Sequence, residues 1–303
     1  MARITRRGFV QTSGAIAAAL VAPAALESPL AASQPDRSAS APKFRLGIVT
    51  YMIAADWDLP TILRVCKSVG ISDVELRTTH KHGVEPSLNK DQRQSVRKQF
   101  ADAGITLWGL GTTCEFQSPD PAVVRKNIET CKQFVDLAHD LGAHGVKVRP
   151  NGFPKDVPPE KTLEQIGKSL IPCGRAAADA GVEIFVEVHG GGTQKPANMK
   201  TIMEQCAHPA VGACWNSNPE DVVDGSVEPS FKLLRPWLKS CHINELYKDG
   251  QGRYPYRELF HLFRESGYDR VTLCEVGKAM PTPETGEELL RYYKALWAAL
   301  ARG

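Results

Sequence analysis

The sequence predicts a single (β/α)8 barrel, on three observations. From Phe44 onward, eight short β-like runs alternate with eight longer helix-like stretches over about 260 residues, the count and length such a barrel needs. Several helix-like stretches end in a glycine that can close a helix before the next strand: Gly70, Gly104, Gly142, Gly181 and Gly267. Polar residues gather at the C-terminal ends of the strand-like runs, where barrels of this kind carry their sites.

In order, FRLGIVT (44–50) reads as the first strand and 59–69 as its helix; SDVELRT (72–78) is followed by 90–103, and ITLWGLG (105–111) by 121–141. The fourth unit pairs HGVKVRP (144–150) with 160–180, and the fifth VEIFVEV (182–188) with 196–207. The last three join AVGACWN (210–216) to 229–238, KSCHIN (239–244) to 255–267, and RVTLCEV (270–276) to 283–301. A doubly wound sheet is the competing architecture, but no glycine-rich phosphate loop follows the first strand.

Ahead of the barrel, residues 1–32 read as an export signal. Thr5-Arg6-Arg7-Gly8-Phe9-Val10 resembles the twin-arginine consensus, an Ala-rich apolar stretch follows, and small residues near Ala31 suit cleavage. The apolar stretch is too short for a mature transmembrane helix, so no stable membrane insertion is expected, and the destination would be periplasmic or secreted. Residues 33–43, rich in Ser, Pro and Ala, read as a linker, and 44–303 as the barrel domain. The net charge of +3 owes much to Arg3, Arg6 and Arg7, and the near-neutral remainder gives no electrostatic reason to expect nucleic acid. Eight cysteines without a CxxC pair, among them Cys66 and Cys131 inside predicted helices and Cys214, Cys241 and Cys274 inside predicted strands, read as small buried residues rather than a disulfide or zinc framework.

Four strand-like runs of the C-terminal half carry a residue able to bind a metal: Glu187, Asn216, His242 and Glu275. Their separations of 29, 26 and 33 residues each match one strand-plus-helix unit, so the four side chains should come from consecutive parallel strands. Two carboxylates, an imidazole and a carboxamide meeting at one barrel end suit one divalent cation, with Mn, Mg, Co and Zn all admissible. Alternation along a strand puts His189 on the face of Glu187, Arg149 on that of Lys147 and Arg77 on that of Glu75. Arg149 and Lys147 could orient an anionic or polyhydroxylated substrate or serve as ion-pair partners. His189 could bind a hydroxyl or cap its strand, and Glu75 could bind substrate or pair with Arg77. Trp57, Trp108 and Trp215 are candidates for stacking on a sugar ring or for the core.

With these residues in place, the chain resembles the sugar phosphate isomerase/epimerase-like, or xylose isomerase-like, TIM barrels over about residues 44–301. In the ketose 3-epimerase branch a Glu, an Asp, a His and a Glu on strands five to eight bind one divalent metal, in the order of Glu187, Asn216, His242 and Glu275. The resemblance implies that Glu187 and Glu275 are both ligands and acid/base groups, that a small-molecule carbohydrate is the substrate, and that Lys248 stands where epimerases tend to carry a substrate-contacting Arg. It leaves a homo-oligomer open. The chain departs from the branch at strand six, where Asn216 replaces the Asp and Pro219 the His often found three residues later. That departure should weaken metal binding and argues strongly against the three-metal chemistry of endonuclease IV.

The expected activity is therefore a metal-dependent sugar isomerase or epimerase moving a proton beside a carbonyl through an enediolate. A lyase or dehydratase acting on an oxidised sugar or inosose through the same site is the alternative. A non-catalytic periplasmic sugar-binding protein is the reading from another class.

Overall fold

The computed structural model describes residues 41–249 and 254–303, so the expected signal segment and nearly all of the linker lie outside the described residues. Eight parallel strands hydrogen-bond in sequence order, and the eighth returns to the first, closing the barrel. The strands are β1 (Arg45–Val49), β2 (Asp73–Arg77), β3 (Thr106–Gly111), β4 (Gly145–Val148), β5 (Glu183–Glu187), β6 (Val211–Asn216), β7 (Leu238–Ile243) and β8 (Val271–Cys274). The helices between and after them are α1 (Leu59–Val69), α2 (Lys90–Ala103), α3 (Pro121–Leu141), α4 (Pro159–Asp179), α5 (Pro196–Cys206), α6 (Glu228–Leu234), α7 (Tyr256–Glu265) and α8 (Pro283–Arg302). The expected elements are all present. The largest shift is at α6, which is one short helix followed by a 3-10 turn over Arg235–Trp237, because Pro236 withholds the backbone N–H a longer helix would need.

Local chemistry explains the helix ends. Asp58 accepts from the Thr61 N–H at 3.0 Å at the start of α1, and Asn89 and Gln92 cap α2 reciprocally. Gly70, Gly104 and Gly142 take the left-handed conformation that ends α1, α2 and α3 and returns the chain to the next strand.

The strand alternation builds two separate apolar layers. Ile184, Val186, Ala213, Trp215 and Cys274 face outward into the core shared with the helices. Phe185, Cys214, Val271, Leu273, Val49 and Trp108 face inward and fill the middle of the barrel. The three tryptophans are buried, so each serves packing: Trp57 lies against Gly286, Trp215 donates to the Tyr254 hydroxyl, and Trp108 stacks on His144 and Phe185.

Several residues at the strand starts are charged and paired. Arg45 bonds Asp73 through two nitrogens at 3.0 and 3.1 Å, and Glu183 takes Arg270 and Lys239. The guanidinium carbons of Arg45 and Arg270 each lie 5.9 Å from the Trp108 ring centre, closing the N-terminal end of the barrel with cation–π contacts. The mouth at the opposite end holds the candidate site.

Barrel closure requires close approach at Gly145, where an added Cβ would sit 2.5 Å from the Glu183 carbonyl oxygen and 2.7 Å from the Phe185 ring. A backbone carbonyl cannot swing aside as a side chain can. Gly145→Ala is expected to lower unfolding free energy by about 1–3 kcal/mol. Urea denaturation checks this, and a midpoint equal to the parent's would contradict the packing described.

Candidate metal centre

Neighbouring strand ends bring the site together. Glu187 is the last residue of β5, Asn216 the last of β6, His242 stands near the end of β7, and Glu275 directly follows β8. Backbone register aligns Asn216 with His242 across β6 and β7. One ligand atom each from Glu187, His242 and Glu275 lies within 4.8 Å of the others. The Nδ1 atom of His242 stands 3.7 Å from Glu187 Oε1 and 3.8 Å from Glu275 Oε2, too far for hydrogen bonds, and this buried nitrogen has no hydrogen-bond partner among the described residues. An orphaned buried imidazole nitrogen between two carboxylate oxygens fits a cation placed among all three.

The carboxylates differ in their surroundings. Glu187 Oε2 accepts from Lys147 Nζ at 2.7 Å, and both side chains are buried. Burial pushes the Glu187 carboxyl up, but the Lys147 ammonium and then His242 outweigh it and hold the group well below the usual carboxylate range. Lys147 in turn is raised: burial opposes its charge, and Glu187 and Glu75 more than restore it. Glu275 has 18% of its side chain exposed and no ammonium bonded to it, so burial raises its carboxyl, His242 opposing and Glu187 adding to the rise.

Asn216 lies beside the cluster, donating from Nδ2 to Glu187 Oε1 at 3.3 Å, while Asn244 Nδ2 lies 3.5 Å from its Oδ1. For the oxygen to serve as a ligand, the amide must turn over. The remaining expected site residues separate into three places. His189 follows β5 above Glu187, half-buried, with Nδ1 lacking a hydrogen-bond partner among the described residues; burial holds its pKa below the usual histidine value. Arg149 pairs with Glu115, which also accepts from Asn151 at 2.7 Å. Lys248 pairs with Glu245 in the wall of a cleft of about 1050 Å³ that Ser217, Asn244, Tyr254 and Tyr256 also line.

Glu75 corrects the sequence reading. Expected to touch substrate or Arg77, it is fully buried, and its carboxylate meets His242 Nε2 at 3.3 Å, while Arg77 donates to the Thr78 carbonyl. Glu115 was not singled out from the sequence, because an acidic residue in the loop after β3 has no motif around it; only the fold brings it to Arg149.

The profile of the xylose isomerase-like TIM barrels matches residues 63–296. The chain belongs to the xylose isomerase-like TIM barrel family. Among solved structures, this family member is similar to a D-psicose 3-epimerase from Clostridium cellulolyticum H10, at 16% identity and a TM-score of 0.69 over 86% of this chain and 98% of that one. It is also similar to the IolI protein, whose structure holds a zinc atom (18% identity, TM-score 0.71, covering 85% and 98%), and to 3-keto-D-glucoside 4-epimerase from E. coli (13%, 0.68, covering 84% and 99%). At these identities the likeness is one of fold. Among the described residues of this barrel, no helix is long and apolar enough to cross a membrane.

Beside the centre, Asp221 is fully buried in the β6–α6 loop, where its Oδ2 accepts from Tyr254 Oη at 2.8 Å and from the Asn218 N–H at 2.9 Å. Burial pushes its carboxyl up to about 8, the two hydrogen bonds opposing only in part. An unfolded Asp titrates near about 4. Between the two values the folded chain keeps a proton that the unfolded chain releases, so this contribution to stability is complete below about pH 4 and is lost as pH rises towards about 8. Asp221→Asn should flatten that decline in chemical denaturation between about pH 5 and 8. Equal slopes for parent and variant would refute the buried-acid account.

Proposed function

We propose that the chain is a metal-dependent sugar isomerase or epimerase that moves a proton beside a carbonyl. The observation that carries this reading is the unpartnered Nδ1 of His242 facing Glu187 and Glu275, in a family whose solved relatives include sugar epimerases. Glu187, His242 and Glu275 would hold the ion, with Asn216 contributing its oxygen if the amide turns. When bound, one divalent cation supplies Lewis-acid polarisation of the substrate carbonyl.

The chain's own residues divide the remaining work. Glu187 keeps one oxygen on Lys147, so it is an anchor of fixed charge that offers Oε1 to the pocket. Glu275, partly exposed and with a raised carboxyl, is the group able to take a proton from carbon. Returning it to the neighbouring carbon isomerises the sugar, whereas epimerisation needs a second group on the opposite face, the role the family resemblance gives to Glu187. His189 and Arg149 at the rim would bind hydroxyl or anionic groups, with Glu115 holding the guanidinium in place. Export by the twin-arginine route is part of the proposal and rests on the Arg6-Arg7 segment alone.

Elemental analysis of the purified protein should find about one divalent ion per chain, and chelation should abolish solvent-deuterium exchange into neutral ketoses or oxidised glycosides. Because His242 must be unprotonated to bind a metal, loading should weaken as pH falls. Exchange without loss of a substituent marks isomerisation, whereas release of water or an aglycone marks a lyase. A protein that binds sugar but never exchanges protons is the binding protein instead. Measured at saturating metal, because Glu275 is also a ligand, Glu275→Gln should cut exchange by about 10²-fold or more, and exchange at the parent's rate would remove the acid/base role from Glu275.

A further inference from the structure

We propose that Glu75 is the positioning residue of this centre: it holds the Nε2 proton of His242 and so turns the Nδ1 lone pair toward the pocket between Glu187 and Glu275. The inference deepens the metal-dependent reading above and rests on it.

Glu75 stands in the middle of β2, fully buried, and both its carboxylate oxygens approach His242 Nε2 to 3.3 Å. A carboxylate can only accept there, so Nε2 carries a hydrogen, and in the neutral ring that metal binding requires Nδ1 keeps its lone pair. That lone pair faces the oxygens of Glu187 and Glu275 and has no hydrogen-bond partner among the described residues. The chain thus sets an order of carboxylate, imidazole and cation in which the carboxylate orients the ring and raises its basicity as a ligand.

The space Glu75 occupies is made by another strand. The β3 run Thr106–Gly111 ends in Gly-Leu-Gly, and both glycines border Glu75. A Cβ on Gly111 would stand 2.8 Å from Glu75 Oε1, and one on Gly109 would stand 3.6 Å from Oε2. The backbone of neither glycine needs positive φ, so their smallness serves the room beside Glu75 and not a turn. Glu75 Oε1 has no hydrogen-bond partner among the described residues, and burying a carboxylate in such a place is unfavourable compared with an apolar side chain of similar size. A group kept there against that cost acts through what it touches, and what it touches is His242.

The test uses the full-length protein stripped of metal, titrated with Mn2+ by calorimetry, with thermal unfolding of the metal-free form recorded alongside. Glu75→Leu should weaken Mn2+ binding about 10- to 100-fold. Glu75→Gln, whose carbonyl oxygen can still accept from Nε2, should fall between the parent and Glu75→Leu. Gly111→Ala, which leaves the carboxylate intact but displaces it, should also weaken binding. In 15N NMR the parent's His242 should carry its proton on Nε2, and Glu75→Leu should lose that preference. A residue that merely packs would shift the unfolding temperature and leave both the Mn2+ affinity and the tautomer alone. Affinity within twofold of the parent in Glu75→Leu, or in both Glu75→Gln and Gly111→Ala should the leucine variant not fold, overturns the inference while leaving the metal-dependent reading standing. A parent that takes up no Mn2+ overturns both.

Discussion

Three carboxylates from different strands, those of Glu75, Glu187 and Glu275, press upon one buried imidazole, and the ammonium of Lys147 offsets only one of them. Like charges gathered in a low-dielectric pocket repel strongly, and a protein keeps such an arrangement only with compensation. With the His242 ring neutral, as a metal ligand must be, the excess left after Lys147 corresponds to the charge of one divalent cation. The orphaned nitrogen of His242 lies where that cation would make its contacts, so charge balance and geometry lead to the same place.

The same constraint differentiates two glutamates that look equivalent in the sequence. Lys147 lies one strand away from Glu187 in the barrel and pairs with it directly, which keeps that carboxylate ionised and still. Glu275 has no such partner and keeps some contact with solvent, which suits a group that must gain and lose a proton. Replacement of the family's strand-six Asp by Asn216 fits this balance, since a further carboxylate beside an already acidic cluster would add to the repulsion.

The opposite end of the barrel handles charge differently. Arg45, Asp73, Glu183, Lys239 and Arg270 pair with one another around Trp108, three cations to two carboxylates, so this end carries no surplus of negative charge. Between the two ends, Phe185, Leu273 and Val271 form an apolar plug. A closed, ion-paired floor and a mouth with surplus negative charge give the barrel its functional polarity.

Periodicity and punctuation are local properties, and the sequence by itself determined what depends on them. Alternating strands, glycine-closed helices and one metal-capable side chain near each of four successive strand ends were legible because each is encoded within a few neighbouring residues. Which side chains meet across the barrel is decided by register and by how far each strand is staggered against the next, and no run of sequence carries that information. Glu75 reads as a polar strand-end residue like Arg77, yet the stagger sinks it beneath His242, 167 residues away in the chain. Lys147 and Arg149 share a face of one short segment, but only the folded barrel gives Lys147 to Glu187 and Arg149 to Glu115. The charged floor was missed for the same reason: Arg45 and Glu183 reveal their role only once closure brings Asp73 and Arg270 beside them.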